Sequence, residues 1–311
     1  ARNYELDPDQ KWHLRHDALH GWEIVDDTAR LCVMNLFLHG IGGDGPDDQV
    51  HTHVDDSLNQ KPGDGDDAHF QMVLTNPPFG RKSSVTYVTE DGKQARETAT
   101  VVRDDFWAST SNKQLNFVQH VRSLLLQHGR AAVVVPDNVL FEGGAGETVR
   151  RKLLHECDVH TLLRLPTGIF YAQGVKANVL FFDRKPASER PWTDRLWVYD
   201  LRTNQNFTLR TRPLQYDDLA DFIACYHAEN RHARQETERF RAFSYDELLK
   251  RDKVSLDLFW LRDESLEGAD ALPAPDVLAA SIVEDLRAAL AQFAAIAADL
   301  GGGEETDGDE G

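Results

Sequence analysis

The run Asn76-Pro77-Pro78-Phe79 sets a side-chain amide, two prolines and an aromatic ring directly after the apolar segment FQMVLT. Asn carries a carbonyl acceptor. The carbonyl of Pro77, which precedes Pro78, is free to point outward. Proline fixes φ and lacks an N–H, so both acceptors sit on a turn with little freedom left to lose. Two convergent acceptors suit a planar amine, which has two N–H donors. Holding both hydrogens toward them draws the nitrogen lone pair out of conjugation and makes the amine more nucleophilic. The effect is electrostatic preorganisation, not general-base catalysis. Phe79 adds a flat face on which a base can stack, worth roughly 1–3 kcal/mol. The plainer reading is that the prolines only end a strand. Two acids enlarge the pattern. Glu23, in GWEIV, can accept from ribose hydroxyls, as an acid does on the second strand of nucleotide-binding sheets. Asp56, closing VHTHVDD, suits an adenine amine.

Such groups need strands that end at one edge. GWEIV followed by DDTARLCVMNLFLHG reads as a strand and a helix, with Asp26 or Asp27 as cap, Leu31/Met34/Leu38 as the apolar face and Gly40 as stop. VHTHV reads as an edge-like strand and FQMVLTN as a buried one. Residues 81–110 are polar and patternless, which predicts a long loop. SNKQLNFVQHVRSLLLQHG is a helix capped by Ser111 or Asn112, with a Phe117/Val121/Leu124 face and Gly129 as stop. RAAVVVPDNVLF is a buried strand of the parallel type. The glycine-rich FEGGAGET lacks the Gly-Lys-Ser/Thr of a phosphate loop and reads as the loop and cap before the helix GETVRRKLLHEC. Strands follow at VHTLLRLP, KANVLFFDR and RLWVYDLR, then helical pieces at YDDLADFIACYHAE and SYDELLKRD. In the last of these, Ser244 and Glu247 stand at capping-box spacing. The alternation predicts an α/β fold, a doubly wound, mostly parallel sheet with helices on both faces and a helical C-terminal extension. In the latter, Ile282, Leu286, Ala289, Phe293, Ile296 and Leu300 form a seam of about three heptads, for docking a partner or for folding back on its own domain.

The chain has 311 residues, 41% hydrophobic and 28% charged, in the range of globular proteins. No apolar run is long enough to span a bilayer, and the polar start is not a signal peptide. Cys32, Cys157 and Cys225 form no C-x-x-C pair, so a disulfide framework is not expected and a reducing cytoplasm fits. The 13 histidines show no metal-ligand spacing. His51 and His53 alternate along a strand without a further ligand in sequence, so no metal site is expected. The net charge is −18, of which five acids lie in the last 11 residues. That balance argues against binding DNA alone by bulk electrostatics, though a partner can supply the positive surface. Lys82, Lys113 and Lys176 stand near the loops of the site edge, as solvated lysines or as phosphate contacts.

The blocks GWEIVDDTARLCVMNLFLHGI, DDSL, VLTNPPFG, SNKQLNFVQHV, GRAAVVVPDNVLF, LLRLPTGIF and VKANVLFFDR, in this order over residues 20 to 260, resemble the modification (methyltransferase) subunits of type I restriction–modification systems. The resemblance implies the fold of S-adenosylmethionine-dependent methyltransferases and methylation of adenine N6 in DNA. It implies that Glu23 binds the cofactor ribose and Asp56 the cofactor adenine, with Ser57 and Asn76 also at the S-adenosyl-L-methionine site. Asn76, Pro77, Pro78 and Phe79 would receive the target adenine. The implied partners are DNA, a specificity (DNA-recognition) subunit and a second methyltransferase subunit, and the resemblance admits a nuclease/translocase subunit. No membrane is involved.

This sequence departs from the family pattern. The family's glycine-rich cofactor loop is expected shortly before Glu23, yet residues 1–20 contain no glycine. The resemblance thus covers a C-terminal portion, with the first strand and that loop missing. Asp55 stands where the family usually has Gly before Asp-Ser-Leu, and Asn138 where Gly is usual after Pro-Asp. Neither is expected to touch the chemistry directly. The expected organisation is a partial catalytic domain over 1–200, a mixed strand and helix part over 201–262, a partner-docking helix at 275–300 and a disordered acidic tail at 301–311. Two rival functions stay open: a methyltransferase for another planar amine (cytosine N4 or a protein glutamine), and a catalytically inert assembly module.

Overall fold

The computed structural model describes residues 5–42, 50–59, 62, 69–80, 84–88, 94–98, 100–170, 175–262 and 283, with backbone alone for 84–88 and 94–98. The chain divides into two units, Ala1–Trp260 and Leu261–Gly311. The heptad helix expected at 275–300 and the acidic tail lie outside the described residues, apart from Val283.

In chain order the first unit contains α1 (Pro8–His16), β1 (His20–Glu23), α2 (Asp26–Leu38), β2 (His51–Val54), β3 (Phe70–Thr75), β4 (Ser84–Val88) and β5 (Gln94–Thr98). Then come α3 (Lys113–Leu124), β6 (Leu125–Pro136), α4 (Asp137–Phe141), α5 (Ala145–Glu156), β7 (Cys157–Arg164), β8 (Ala177–Arg184) and β9 (Arg195–Asp200). It closes with α6 (Ala220–Tyr226), β10 (Phe240–Ser244) and α7 (Tyr245–Lys250).

Six strands form the main sheet in the order β10-β9-β7-β8-β6-β3. The β3/β6 and β7/β9 pairs are parallel, while β8 lies antiparallel between β6 and β7, and β10 is antiparallel on β9. Four strands therefore share one direction and two oppose it. The mostly parallel sheet expected is therefore present, with β8 and β10 as its antiparallel members. Strand β8 follows β7 through residues 165–176 and pairs antiparallel with both β7 and β6. Side chains alternate across the sheet. Leu180 and Phe182 of β8 enter a core with Val133, Val135 and Leu162, covered by Leu115, Val118 and Val121 of α3 and Val149, Leu153 and Leu154 of α5. Val179 and Phe181 face the opposite core, built on Leu163, Ala177, Tyr199 and Phe222 of α6. Both faces are thus covered by helices, as expected.

Several local expectations change. Residues 81–110 contain an antiparallel strand pair, β4 on β5, where a loop was expected; the β-branched and aromatic run Val85-Thr86-Tyr87-Val88 is the signal that favours it. Strand β3 is not buried: among the described residues it pairs with β6 alone, and Met72 and Leu74 are 47% and 71% exposed. The cap of α2 is Val25, with Asp26 and Asp27 inside the first turn, where their charge suits the helix dipole. The Leu31/Met34/Leu38 face of α2 is exposed, and only Ala29 of that helix is buried. Helix α3 is capped by Asn112 and buries Val121 as expected, but with Leu115 and Val118 in place of Phe117 and Leu124. It ends five residues before Gly129, which lies inside β6 with the Leu126 and Phe70 carbonyl oxygens 2.9 Å from where a Cβ would stand. The strand expected over RAAVVVPDNVLF begins earlier, at Leu125, and stops at Pro136; Asp137–Phe141 is the helix α4. Ser244 caps α7 in the expected box with Glu247. No described helix is long and apolar enough to cross a membrane. All three cysteines are free, and burial pushes the Cys157 thiol up to about 12.

Candidate active site

Strands β1 and β2 pair in parallel as a separate two-stranded sheet, with Glu23 beside Val54. The Asp55 N–H donates to the Glu23 carbonyl (3.2 Å), so the two strands end together. Glu23 and Asp56 therefore stand at one strand-terminal edge. Each carboxylate uses one oxygen locally. Glu23 Oε1 accepts from the Val25 N–H at 2.9 Å, and Asp56 Oδ1 accepts from the Leu58 N–H at 3.0 Å. Among the described residues the second oxygen of each has no hydrogen-bond partner and can take outside donors such as ribose hydroxyls or an exocyclic amine. Ser57 begins the short helical turn Ser57–Asn59 that Asp56 caps. The Trp22 and His20 rings meet Phe70 at centroid distances of 6.0 and 5.2 Å, which brings β1 beside the beginning of β3.

At the other end of β3, Thr75 pairs with Val133 and the chain leaves the sheet as Asn76-Pro77-Pro78-Phe79. Asn76 and Pro78 are exposed, Pro77 is buried and Phe79 is half-buried. The Phe79 ring packs edge-on against Phe170 at 5.7 Å. The side chain of Gln114, 4% exposed in the first turn of α3, donates to the Phe79 carbonyl at 2.7 Å. Beside the loop, Asp137 follows the end of β6 and receives both arms of Arg202, at 2.8 and 2.9 Å, and the Asn178 amide at 2.9 Å. Burial works to raise the Asp137 carboxyl, but the Arg202 and Asn178 hydrogen bonds outweigh it and hold it below the usual range.

The two halves of the site share a support. Arg103 donates to the Leu58 carbonyl at 3.2 Å, pairs with Asp105 at 2.7 Å and donates to Nδ1 of His120 on α3 at 3.1 Å. Helix α3 thus holds the Asp56 turn through Arg103 and the Asn76–Phe79 loop through Gln114. Neither Gln114, Arg103 nor Phe170 was singled out by sequence. Their signal was faint: Gln114 and Phe170 lie inside blocks shared with a family and Arg103 in a patternless stretch, with nothing local to say what they would meet.

Other expected positions fall out as follows. Lys113 is the first residue of α3, Lys176 is exposed just before β8, and Lys82 lies outside the described residues. His20 joins His51 and His53, the three offering nitrogens within 4.8 Å of one another. The His20 and His51 rings stack at 4.5 Å and 13°. Stacked rings keep their in-plane lone pairs side by side instead of convergent, and His20 Nε2 is engaged with the Asp17 carbonyl at 2.9 Å. We assign no metal there.

Residues 7–256 match the model of a family described as N-6 DNA methylase. The chain belongs to this family. Among curated N-6 methylase relatives, the type I restriction enzyme StySJI methylase subunit of Salmonella typhimurium is 39% identical, over 97% of this chain and 60% of that protein. The EcoKI methylase subunit of Escherichia coli K12 is 38% identical over the same shares. The crystal structure of the EcoKI M protein superposes with a TM-score of 0.68 at 36% identity, over 97% of this chain and 64% of that chain. The α/β methyltransferase fold expected from the sequence is therefore shared with a solved methylase. The chain spans about 60% of the length of the curated relatives it matches.

Proposed function

We propose that this chain is the catalytic portion of an adenine-N6 DNA methyltransferase subunit of a type I restriction–modification complex. The observation that carries the reading is the rigid Asn76-Pro77-Pro78-Phe79 turn at the carboxyl end of a parallel strand, its last carbonyl held from behind by a buried amide. In open α/β sheets that edge is where ligands bind. Asn76 and the Pro77 carbonyl receive the two N–H donors of a flipped adenine, and Phe79 stacks on its ring. Glu23 binds the ribose of S-adenosyl-L-methionine and Asp56 its adenine, with Ser57 beside them; each acid has an oxygen to spare for that purpose. When bound, that cofactor would supply an electrophilic sulfonium methyl for transfer to the amine, whose displaced proton would pass to water. The chain's part is to orient the amine, so proximity supplies much of the acceleration.

The acidic balance of the chain fits a division of labour, in which a recognition subunit carries the sequence-specific DNA contacts and a second methyltransferase subunit completes the complex. The heptad-patterned segment 275–300, outside the described residues, is our candidate for the contact with a partner subunit. A cytoplasmic location follows from such a substrate. Methylation of double-stranded DNA by the assembled complex should fall on the order of 100-fold or more in Asn76→Ala, because a preorganised acceptor is lost. Digestion of the product should yield N6-methyladenine alone. Equal activity of wild type and Asn76→Ala would remove the mechanism, and N4-methylcytosine in the digest would redirect the substrate.

A further inference from the structure

The Asn76–Phe79 loop is supported by a chain of directed hydrogen bonds reaching back into α3 and α4. Gln114 Nε2 donates to the Phe79 carbonyl at 2.7 Å. Gln114 Oε1 accepts from Asn138 Nδ2 at 2.8 Å. Asn138 Nδ2 also approaches Glu142 Oε2, at 3.4 Å, and the same oxygen accepts from Asn112 Nδ2 at 2.6 Å. Asn112 in turn caps α3, its Oδ1 accepting from the Gln114 and Leu115 N–H groups at 3.0 and 3.3 Å. Every donor in this chain is an amide N–H and every acceptor an oxygen, so each amide has one allowed orientation. The carboxylate of Glu142 can only accept. It therefore holds the NH₂ ends of Asn112 and Asn138 toward itself. Asn138 is left to offer its other hydrogen to Gln114 Oε1, which turns the Gln114 NH₂ toward Phe79. Flipping Gln114 would set two carbonyl oxygens against each other in a buried place.

We propose that Gln114 is a positioning residue for the methyl-accepting loop, oriented by Asn138 and Glu142, and that this relay sets the placement of Phe79 and hence of the base stacked on it. The proposal rests on the functional reading above. It does not make Gln114 a catalytic residue: its amide reaches the loop's backbone carbonyl and no reacting group. With the last carbonyl of the turn fixed at one end and Pro77 buried at the other, the loop has few ways to drift. A drift of about 1 Å in such a place costs up to roughly 100-fold in rate.

The test uses the assembled complex in single-turnover methylation with saturating cofactor and DNA. Asn76→Ala is the control, and cofactor affinity is measured in parallel by calorimetry. Gln114→Met, of similar volume but without the amide, should lose roughly 10- to 100-fold in rate and keep cofactor affinity within about twofold. Asn138→Ala should lose less, and the Gln114→Met/Asn138→Ala double variant should be no slower than Gln114→Met, because one residue acts through the other. Gln114→Glu gives an independent readout should Gln114→Met fold poorly. Its protonated carboxyl can donate to Phe79 and accept from Asn138, as the amide does, whereas the carboxylate cannot donate. Its rate relative to wild type should therefore rise between about pH 8 and pH 6, since burial lifts a carboxyl above its ordinary range. A wild-type rate in Gln114→Met beside an inactive Asn76→Ala, a flat relative profile in Gln114→Glu, or a double variant slowed by the product of the single effects would each overturn the positioning role. Wild-type activity in Asn76→Ala would instead overturn the functional reading of the loop, and the relay with it.

Discussion

Gln114 and His120 both lie on α3 and both are buried polar side chains, yet they answer different demands. Gln114 is satisfied by an amide relay. His120 is satisfied by an arginine, and an arginine can only donate. The imidazole must therefore be neutral, with Nδ1 as acceptor from Arg103. Burial first, and the Arg103 charge second, lower its pKa to about 4, with Asp105 opposing. Between about pH 4 and 6.5 the unfolded chain then binds a proton that the folded chain refuses. Stability is present above the unfolded value and is lost as pH falls toward 4, on the order of 3 kcal/mol in all. His160 is depressed in the same direction, burial again leading, so the slope has two contributors. Urea unfolding at pH 7 and pH 4.5 should show a smaller loss in His120→Gln than in wild type. An unchanged loss would mean that His120 does not titrate in this window.

Helix α3 is the element on which the candidate site depends. Its amino end carries the cap Asn112, the relay residue Gln114 and, one turn beyond, the buried contacts that seat it on β6. Asn112→Ala removes the acceptor for two backbone N–H groups and a partner of Glu142, and should cost about 1–2 kcal/mol. Asn112→Ser keeps a cap acceptor but does not reach Glu142, so it should recover most of that loss; equal destabilisation of both variants in denaturant titrations would show that the Glu142 bond, not the cap, holds the helix. The cap was legible in the sequence because capping is a contact over two or three residues. Asn138 was not. It departs from its family's usual Gly and touches no expected chemistry directly, but it stands two hydrogen bonds from the loop. Only the fold brings residue 138 to residue 114.

Across the molecule, two buried arginines tie residues 253–258 back to the sheet layers. Arg150 donates to the carbonyls of Val139, Glu142, Lys253 and Val254 at 2.6–3.0 Å. Arg164 donates to the Leu258 carbonyl and to Asp257. Lys253 and Val254 both have positive φ, 53° and 51°, a conformation that costs a β-branched residue roughly 1–3 kcal/mol and persists only when its surroundings enforce it. Arg150 is that enforcement, since two of its four acceptors are the carbonyls of the strained pair. Arg150→Met should leave several buried carbonyls unpaired and lower the unfolding free energy by at least about 3 kcal/mol. Hydrogen exchange should also quicken first at 252–256. Loss of stability without selective exposure there would argue against the clasp.

The sequence by itself determined what depends on near neighbours and composition: the proline-stiffened turn, the Ser244 cap, the α3 cap to within Ser111 or Asn112, the strands β7 to β9 and the order of blocks that resembles a methyltransferase family. The tertiary structure decided what depends on distant partners. It set β8 against its neighbours, left β3 and the apolar face of α2 exposed, and turned a patternless stretch into a strand pair. It also buried Gln114 behind Phe79. The reason is one of range. Caps, turns and periodicity are fixed by contacts over a few residues, whereas strand direction, burial and the pairing of a polar side chain are fixed by groups dozens of residues away. An isolated Gln in a helix carries no mark of the carbonyl it will meet.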